Sequence, residues 1–367
     1  MYKEIGIYIW SIIKYTSIIL RFYLYRFQVS GKEKIPTKGP IIFTVNHQNA
    51  FLDAIILSCS SPRFPYSLAR ADVFKSVIGR YLLKSINIMP IYRIRDGFSE
   101  VRKSSQVILN CVALLKQNKA LLIFPEGNHD LKFTLRPFQK GIARIAFGDP
   151  DQLLIKKLKI IPVGIQYENH SAWRGRVLVT YGDPIEVGNI REEYQNDPRK
   201  GTNLLLEKVH SQMTQLIVDI PEKNYQETYK KWLERREIHY DLEKQLKSDQ
   251  TIVRSITDNN SQHLIGTKTK FSLSKLFYLI TNMILVTILS IPLLLIKIFI
   301  SRFIKDVGFA GSIKFSLWLA VYPIFNIGLA IALWYITHQW VIIIGFILIV
   351  PITARLTGYF KYIGNAA

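Results

Sequence analysis

The rhythm of apolar and polar positions changes twice along this chain. Between residues 27 and 181, short apolar or β-branched runs bounded by Gly and Pro alternate with longer stretches of helical period. Runs at 27–30, 41–45, 68–71, 88–91, 121–124, 160–165 and 176–181 predict strands. The intervening stretches 52–60, 73–85, 99–117 and 139–147 predict helices. Such alternation defines an α/β domain, a mixed sheet flanked by helices. It closes near Gly182-Asp183-Pro184. From 191 to 250, Leu and Ile recur at helical spacing among Lys, Glu and Gln, which predicts surface helices. The polar run 258–262 is a linker. Beyond residue 271 the chain turns almost continuously apolar.

That last part has membrane dimensions. Residues 276–296 form 21 positions without a formal charge, and 315–336 form 22 more. Each is about the length of a bilayer-spanning helix. The segment 340–352 follows after three polar residues. Basic residues set a puzzle here, because Lys297, Arg302, Lys305 and Lys314 fall between the first two apolar blocks. Positive charge belongs on the cytoplasmic side, so a single crossing by 276–296 would misplace them. Two readings avoid this: 273–304 bends back as a hairpin near Pro292, or it lies partly in the interface. The favoured expectation is two hairpins, the second around Thr337-His338-Gln339. At the other end, Ile5, Ile9, Ile12, Ile13 and Ile19 mix with Tyr8, Trp10, Tyr15, Tyr23, Arg21 and Arg26. This suits a helix lying in the membrane interface; an ordinary core helix is the alternative. Lys14 interrupts the apolar stretch and no small-residue cleavage site follows, unlike a signal peptide. The expected organisation is an interface helix over 1–26, an α/β domain over 27–190, a helical extension and linker over 191–265, and membrane segments over 266–367.

Composition sharpens this picture. Forty-eight Lys and Arg against 27 Asp and Glu leave a net charge of +21, which calls for an anionic partner. The apolar blocks argue for an anionic phospholipid surface and against nucleic acid. Basic and aromatic residues over 225–240 imitate a nucleic-acid surface, but read better as a solvated helix facing headgroups. Cys59 and Cys111 lie in apolar surroundings without a vicinal partner, which points to a reducing compartment and no disulfide framework.

The candidate chemistry starts at Val45-Asn46-His47-Gln48-Asn49-Ala50-Phe51-Leu52-Asp53, a His-x5-Asp segment. A histidine can take a proton from an alcohol near neutral pH, since its ordinary pKa is about 6.5. A carboxylate beside it fixes the tautomer. Six positions apart on one helix, the two would face about 240° from each other at 100° per residue. They meet only if His47 sits in a strand-to-helix turn and Asp53 in the first turns of the helix. Taken alone, the pair equally suits a turn histidine and an N-terminal aspartate favoured by the helix dipole. Further segments then follow in order: Pro90-Ile91-Tyr92-Arg93, Phe124-Pro125-Glu126-Gly127, Arg136-Pro137-Phe138-Gln139-Lys140-Gly141, and Ile160-Ile161-Pro162-Val163-Gly164. His129, Asp130 and His170 are too dispersed for a metal triad at close spacing.

Four such blocks in this order resemble the 1-acylglycerol-3-phosphate acyltransferase superfamily, the glycerophospholipid acyltransferases, over about residues 25–190. His47 and Asp53 match its catalytic pair, Arg93 its second block, Phe124 to Gly127 its Phe-Pro-Glu-Gly, and Pro162 its fourth block. The commonest family spacing has four residues between His and Asp; five stand here. That spacing resembles the branch acylating glycerol-3-phosphate or dihydroxyacetone phosphate. Asn128 and His129 replace the Ser or Thr and the Arg usual after Phe-Pro-Glu-Gly.

The resemblance implies a glycerolipid-acyltransferase-like fold and direct acyl transfer from a thioester, without an acyl-enzyme, metal or other cofactor. The donor is acyl-CoA or acyl carrier protein, and the acceptor a phosphorylated glycerol: glycerol-3-phosphate or its 1-acyl derivative. His47 would deprotonate the acceptor and Asp53 orient the imidazole. Arg93, with Arg136 or Lys140, would hold the phosphate. Glu126, after Pro125, would bind acceptor hydroxyls or organise the cations. Backbone N–H groups after Gly127 or near Gly141 would meet the oxyanion. The expected location is an integral membrane protein with this domain on the cytoplasmic face. Alternatives are acylation of another lysophospholipid or an aminolipid hydroxyl, and a non-catalytic lipid-binding membrane protein.

Overall fold

Five parallel strands, adjacent in the order β6-β2-β5-β3-β4, carry the centre of the molecule. The computed structural model describes residues 6–70, 74, 77–91, 98–149, 154–258, 273–304, 306–345, 348, 352 and 356. Its strands are β1 (Arg26–Ser30), β2 (Ile41–Val45), β3 (Tyr66–Arg70), β4 (Ile88–Ile91), β5 (Ala120–Ile123), β6 (Lys159–Tyr167), β7 (Arg176–Tyr181) and β8 (Ile185–Glu186). β7 runs antiparallel to β6, β1 pairs parallel with β7, and β8 pairs antiparallel with the start of β6. The sheet is therefore mixed, as the sequence predicts.

The helices are α1 (Ile7–Tyr23), α2 (Ala50–Ser60), α3 (Val77–Ser85), α4 (Phe98–Lys116), α5 (Gly141–Ala146), α6 (Arg191–Asn196), α7 (Pro198–Thr214), α8 (Tyr225–Arg235), α9 (Leu242–Thr257), α10 (Leu273–Phe303) and α11 (Ala310–Thr337). Successive strand residues point to opposite faces, and the core divides accordingly. Ile41, Phe43 and Val45 of β2 pack in a cluster with Leu20, Leu52, Ile56, Phe315 and Trp318, from α1, α2 and α11. Ile42 faces the other cluster, with Cys111, Ile142, Leu205 and Val209 from α4, α5 and α7. Helices thus cover both faces of the parallel strands. That arrangement leaves the carboxyl ends of the strands, where α/β sheets hold their ligands, for a site.

Three expectations need correction. Helix α10 runs unbroken from Leu273 to Phe303, so the chain does not turn back at Pro292. A proline costs a helix one backbone hydrogen bond, and apolar membrane helices tolerate that. A one-turn helix Val307–Phe309 leads into α11. That helix packs on the α/β domain, where Phe309 meets the His129 ring and Lys314 donates to the Ser171 carbonyl.

The second correction concerns 225–240. Trp232 is 1% exposed, and it joins Phe133, Leu178, Leu246 and Val253 in a third small core. These aromatic residues hold α8 and α9 against β7 and do not form a solvated headgroup-facing row. Third, α1 is partly a core helix. Thr16, Ile19, Leu20 and Tyr23 are buried, while Ile7, Tyr8 and Ile18 stay exposed.

Among the described residues, one segment, Val307–Thr337, is long and apolar enough to cross a membrane. Its first turns bury Gly311, Ser312, Phe315 and Trp318. Residues 319–337 include no buried position; Leu319 and Tyr322 pack against the core, while Ile324, Ile327, Ile331, Tyr335 and Ile336 are exposed.

Candidate active site

β2 and β5 are neighbours and parallel, so the segments that leave their carboxyl ends meet. His47 lies just beyond β2 and Phe-Pro-Glu-Gly just beyond β5. Asn46 anchors the first exit: its side-chain amide donates to the Ile165 carbonyl (3.0 Å) and accepts from the Ile165 N–H (2.7 Å). The chain then turns sharply and enters α2 at Ala50, which puts Asp53 in the first helical turn. Asn49 occupies the cap position but its side chain makes no cap hydrogen bond; it donates to the His170 carbonyl instead (2.7 Å).

This turn brings His47 Nδ1 to 2.9 Å from Asp53 Oδ2. The same oxygen accepts from the backbone N–H groups of Gln48 (2.9 Å) and Asn49 (2.8 Å). Tyr167 donates its hydroxyl to Asp53 Oδ1 at 2.6 Å. A carboxylate surrounded by four donors acts as acceptor towards the imidazole, so the His47 proton sits on Nδ1 and the lone pair on Nε2. Asp53 is wholly buried, whereas the His47 side chain keeps 14% of its surface open. The Phe124 ring stacks on the imidazole at 3.9 Å between centroids, which fixes its plane.

Glu126 ties this turn to the next. Its Oε1 accepts from the His47 backbone N–H (2.7 Å), and its Oε2 accepts from Arg136 Nε (2.8 Å) and the Arg136 N–H (3.3 Å). Both oxygens are thus engaged by the protein, an arrangement that fits organising the cation better than binding hydroxyls. Burial pushes the Glu126 carboxyl up from its ordinary range, opposed chiefly by Arg136. Arg136 also donates to the Asn128 carbonyl. Pro125 is buried, and its carbonyl accepts from the Gln139 N–H (2.8 Å). Gly127 is exposed with φ +78°, a backbone setting that favours glycine. Lys140 is exposed at the head of α5. Arg93 falls outside the described residues. Pro162 lies in β6 opposite Thr44 of β2.

Several groups at the site receive no catalytic or binding role from the sequence alone. The His129 ring stands 5.6 Å from His47, edge to face, and 4.5 Å from Phe309. Burial, then the nearby His47, holds its pKa below the ordinary value. His170 Nε2 meets Gln48 Oε1 at 3.1 Å, and burial lowers its pKa to about 4. No group of three or more His, Cys, Asp or Glu among the described residues is placed to hold a metal. The Cys59 and Cys111 thiols are pushed up by burial, to about 11 and about 12, which leaves them protonated and poorly nucleophilic.

Chemically, the arrangement is a proton-accepting histidine oriented by a buried carboxylate, set at the carboxyl ends of a mostly parallel α/β sheet. Residues 26–166 match the family model described as Acyltransferase. Of the curated relatives, "Glycerol-3-phosphate O-acyltransferase 2" of Saccharomyces cerevisiae is 31% identical over 101 residues, 27% of this chain and 14% of the yeast protein. "1-acyl-sn-glycerol-3-phosphate acyltransferase BAT2, chloroplastic" of Brassica napus is 25% identical over 190 residues, 49% of this chain and 52% of the plant protein. The chain therefore matches about half or less of the length of each. The crystal structure of the 1-acyl-sn-glycerophosphate acyltransferase PlsC from Thermotoga maritima aligns with TM-score 0.42 and 16% identity, over 56% of this chain and 79% of that one.

Proposed function

We propose that this protein is a membrane-bound acyltransferase that moves a fatty acyl group from a thioester donor to a hydroxyl of glycerol-3-phosphate or 1-acylglycerol-3-phosphate. The observation that carries this reading is the His47–Asp53 pair, locked at 2.9 Å with Nε2 left to act. His47 Nε2 takes the proton of the acceptor hydroxyl as its oxygen forms a bond to the thioester carbonyl carbon. Collapse of the tetrahedral intermediate breaks the carbon–sulfur bond, and the imidazolium returns the proton to the leaving thiolate. Asp53 steadies the imidazolium throughout. Backbone N–H groups of the Gly127 turn are assigned to the developing oxyanion. The acceptor phosphate is assigned to Arg136 and Lys140, with Arg93; guanidinium matches phosphate oxygens in pairs. The exposed apolar stretch of α11 and the net charge of +21 favour an anionic bilayer with this domain on its cytoplasmic face.

The test is acyl transfer by the purified full chain in lipid. Labelled glycerol-3-phosphate and 1-acylglycerol-3-phosphate are offered separately with palmitoyl and oleoyl thioesters, beside His47→Ala. Product from one acceptor is expected, reduced at least about 10²- to 10⁴-fold in the variant. No product from either, or equal product from the variant, would sink the assignment.

A further inference from the structure

The turn between His47 and Asp53 is closed by a side chain from the C-terminal apolar helix. Ser312, in the first turn of α11, is wholly buried. Its hydroxyl donates to the Asn49 carbonyl at 2.5 Å and accepts from the Leu52 N–H at 3.0 Å. It thus bridges both ends of the step across Ala50, and a hydroxyl can do this because it is donor and acceptor at once. Ala50 has φ +43°, a left-handed setting that a residue with a Cβ seldom takes and that its surroundings must hold. The close approach is built in at the preceding residue. A Cβ on Gly311 would stand 2.4 Å from the His170 carbonyl oxygen and 2.5 Å from the Asn49 side-chain oxygen, so glycine alone lets α11 reach this loop.

The same loop carries the site. Immediately before Ala50, the Gln48 and Asn49 N–H groups hold Asp53 Oδ2, which holds His47 Nδ1. The His-x5-Asp segment has one residue more than the commonest spacing of the family it resembles. A left-handed residue is a compact way to absorb an extra position while keeping both partners in reach.

We propose that Ser312 is a positioning residue: from α11 it clamps the strained Asn49–Leu52 turn and so keeps Asp53 and His47 aligned. The clamp is a claim about the loop, and its kinetic part rests on the reading of His47 as general base. It makes α11 part of the reaction machinery as well as an anchor.

The experiment uses the full chain in lipid nanodiscs, with Ser312→Ala, Ala50→Gly, the double variant, and Ile331→Ala as a control on the exposed stretch of α11, away from the loop. Two readouts are taken: amide exchange of the peptide spanning residues 47–53, and kcat and KM for whichever acceptor the wild type uses. Ser312→Ala should speed exchange across the loop and lower kcat about tenfold, with acceptor KM within about twofold, because small misplacement of catalytic groups acts on the chemical step. Adding Ala50→Gly, which removes the strain the clamp opposes, should recover at least half of the lost rate. Ile331→Ala should leave loop exchange and kcat at wild-type values. Unchanged loop exchange in Ser312→Ala overturns the clamp whatever the activity. So does a loss seen in KM alone, a loss that Ala50→Gly does not recover, or an equal loss in Ile331→Ala. Should Ser312→Ala not purify folded, the double variant must, and its failure also overturns the proposal. If the wild type acylates no acceptor while exchange responds to Ser312→Ala, the acyltransfer reading falls and the clamp stands.

Discussion

Asp53 is wholly buried and every partner named for it is a donor, so the alignment of His47 depends on how many of those donors remain. Tyr167→Phe deletes one without emptying space. We expect a roughly tenfold fall in kcat with little change in KM, since hydrogen bonds that orient a catalytic partner are felt in the chemical step; steady-state kinetics checks it. An equal rise in KM would show instead that Tyr167 binds substrate. His170 gives a pH prediction of definite sign. The unfolded chain takes up its proton below about pH 6.5, the folded chain only below about 4. Between those values the unfolded state binds more protons, so stability falls as pH drops through the window and is unaffected above it. The loss reaches about 3 kcal/mol at the foot of the window. Urea midpoints between pH 7 and 4 should show this slope, flattened in His170→Gln, which keeps a donor towards Gln48. The sequence revealed His47 and Asp53 as a pair because they are six positions apart and need only a turn to meet. It concealed Tyr167 and Ser312, which reach the same loop across 114 and 263 residues, to Asp53 and Asn49 respectively. Sheet order and helix docking make those contacts, and neither leaves a local pattern.

Among the elements, the parallel strands were the easiest to foresee. Residues 41–45 and 88–91 match β2 and β4 end to end, and β5 starts one residue before the predicted run. A strand covered on both faces is a short continuous apolar run bounded by turn residues, and little else in a soluble chain looks like that. The two-residue β8 carries too few positions to show a period. The aromatic residues of α8 misled for a related reason: Trp232 is buried by a partner outside its own element. Its indole donates to Asp249 (3.0 Å), which also accepts from Arg236 Nε at 2.9 Å and from Gln245 (3.1 Å). Removing one partner of a buried ion pair strands the other charge. Arg236→Ala should therefore destabilise the fold by about 3–5 kcal/mol. Denaturant titration checks this; a change of only a few tenths would mean that water replaces the guanidinium freely.

At the scale of the molecule, a net charge of +21 and the outward apolar stretch of α11 make separate demands on a membrane. Charge attraction is screened within about 10 Å at about 0.1 M salt, whereas a helix through the bilayer does not respond to salt. Spanning by α11 thus predicts that membranes containing the protein keep it through high-salt and alkaline carbonate washes. Release by salt alone would reduce α11 to a surface attachment. The docking of α11 on the α/β domain also bears on how inhibitors would be sought. A water-soluble fragment ending after α9 looks like a convenient screening target. It would lack Ser312 from the loop, Phe309 from the face of His129, and Phe315 and Trp318 from the core shared with Leu20, Leu52 and Ile56. Compounds selected on it would be fitted to a cleft with one wall missing. Screening the intact chain in lipid keeps that wall, and a molecule that wedges between α11 and the His47 loop would disable the site without resembling either substrate.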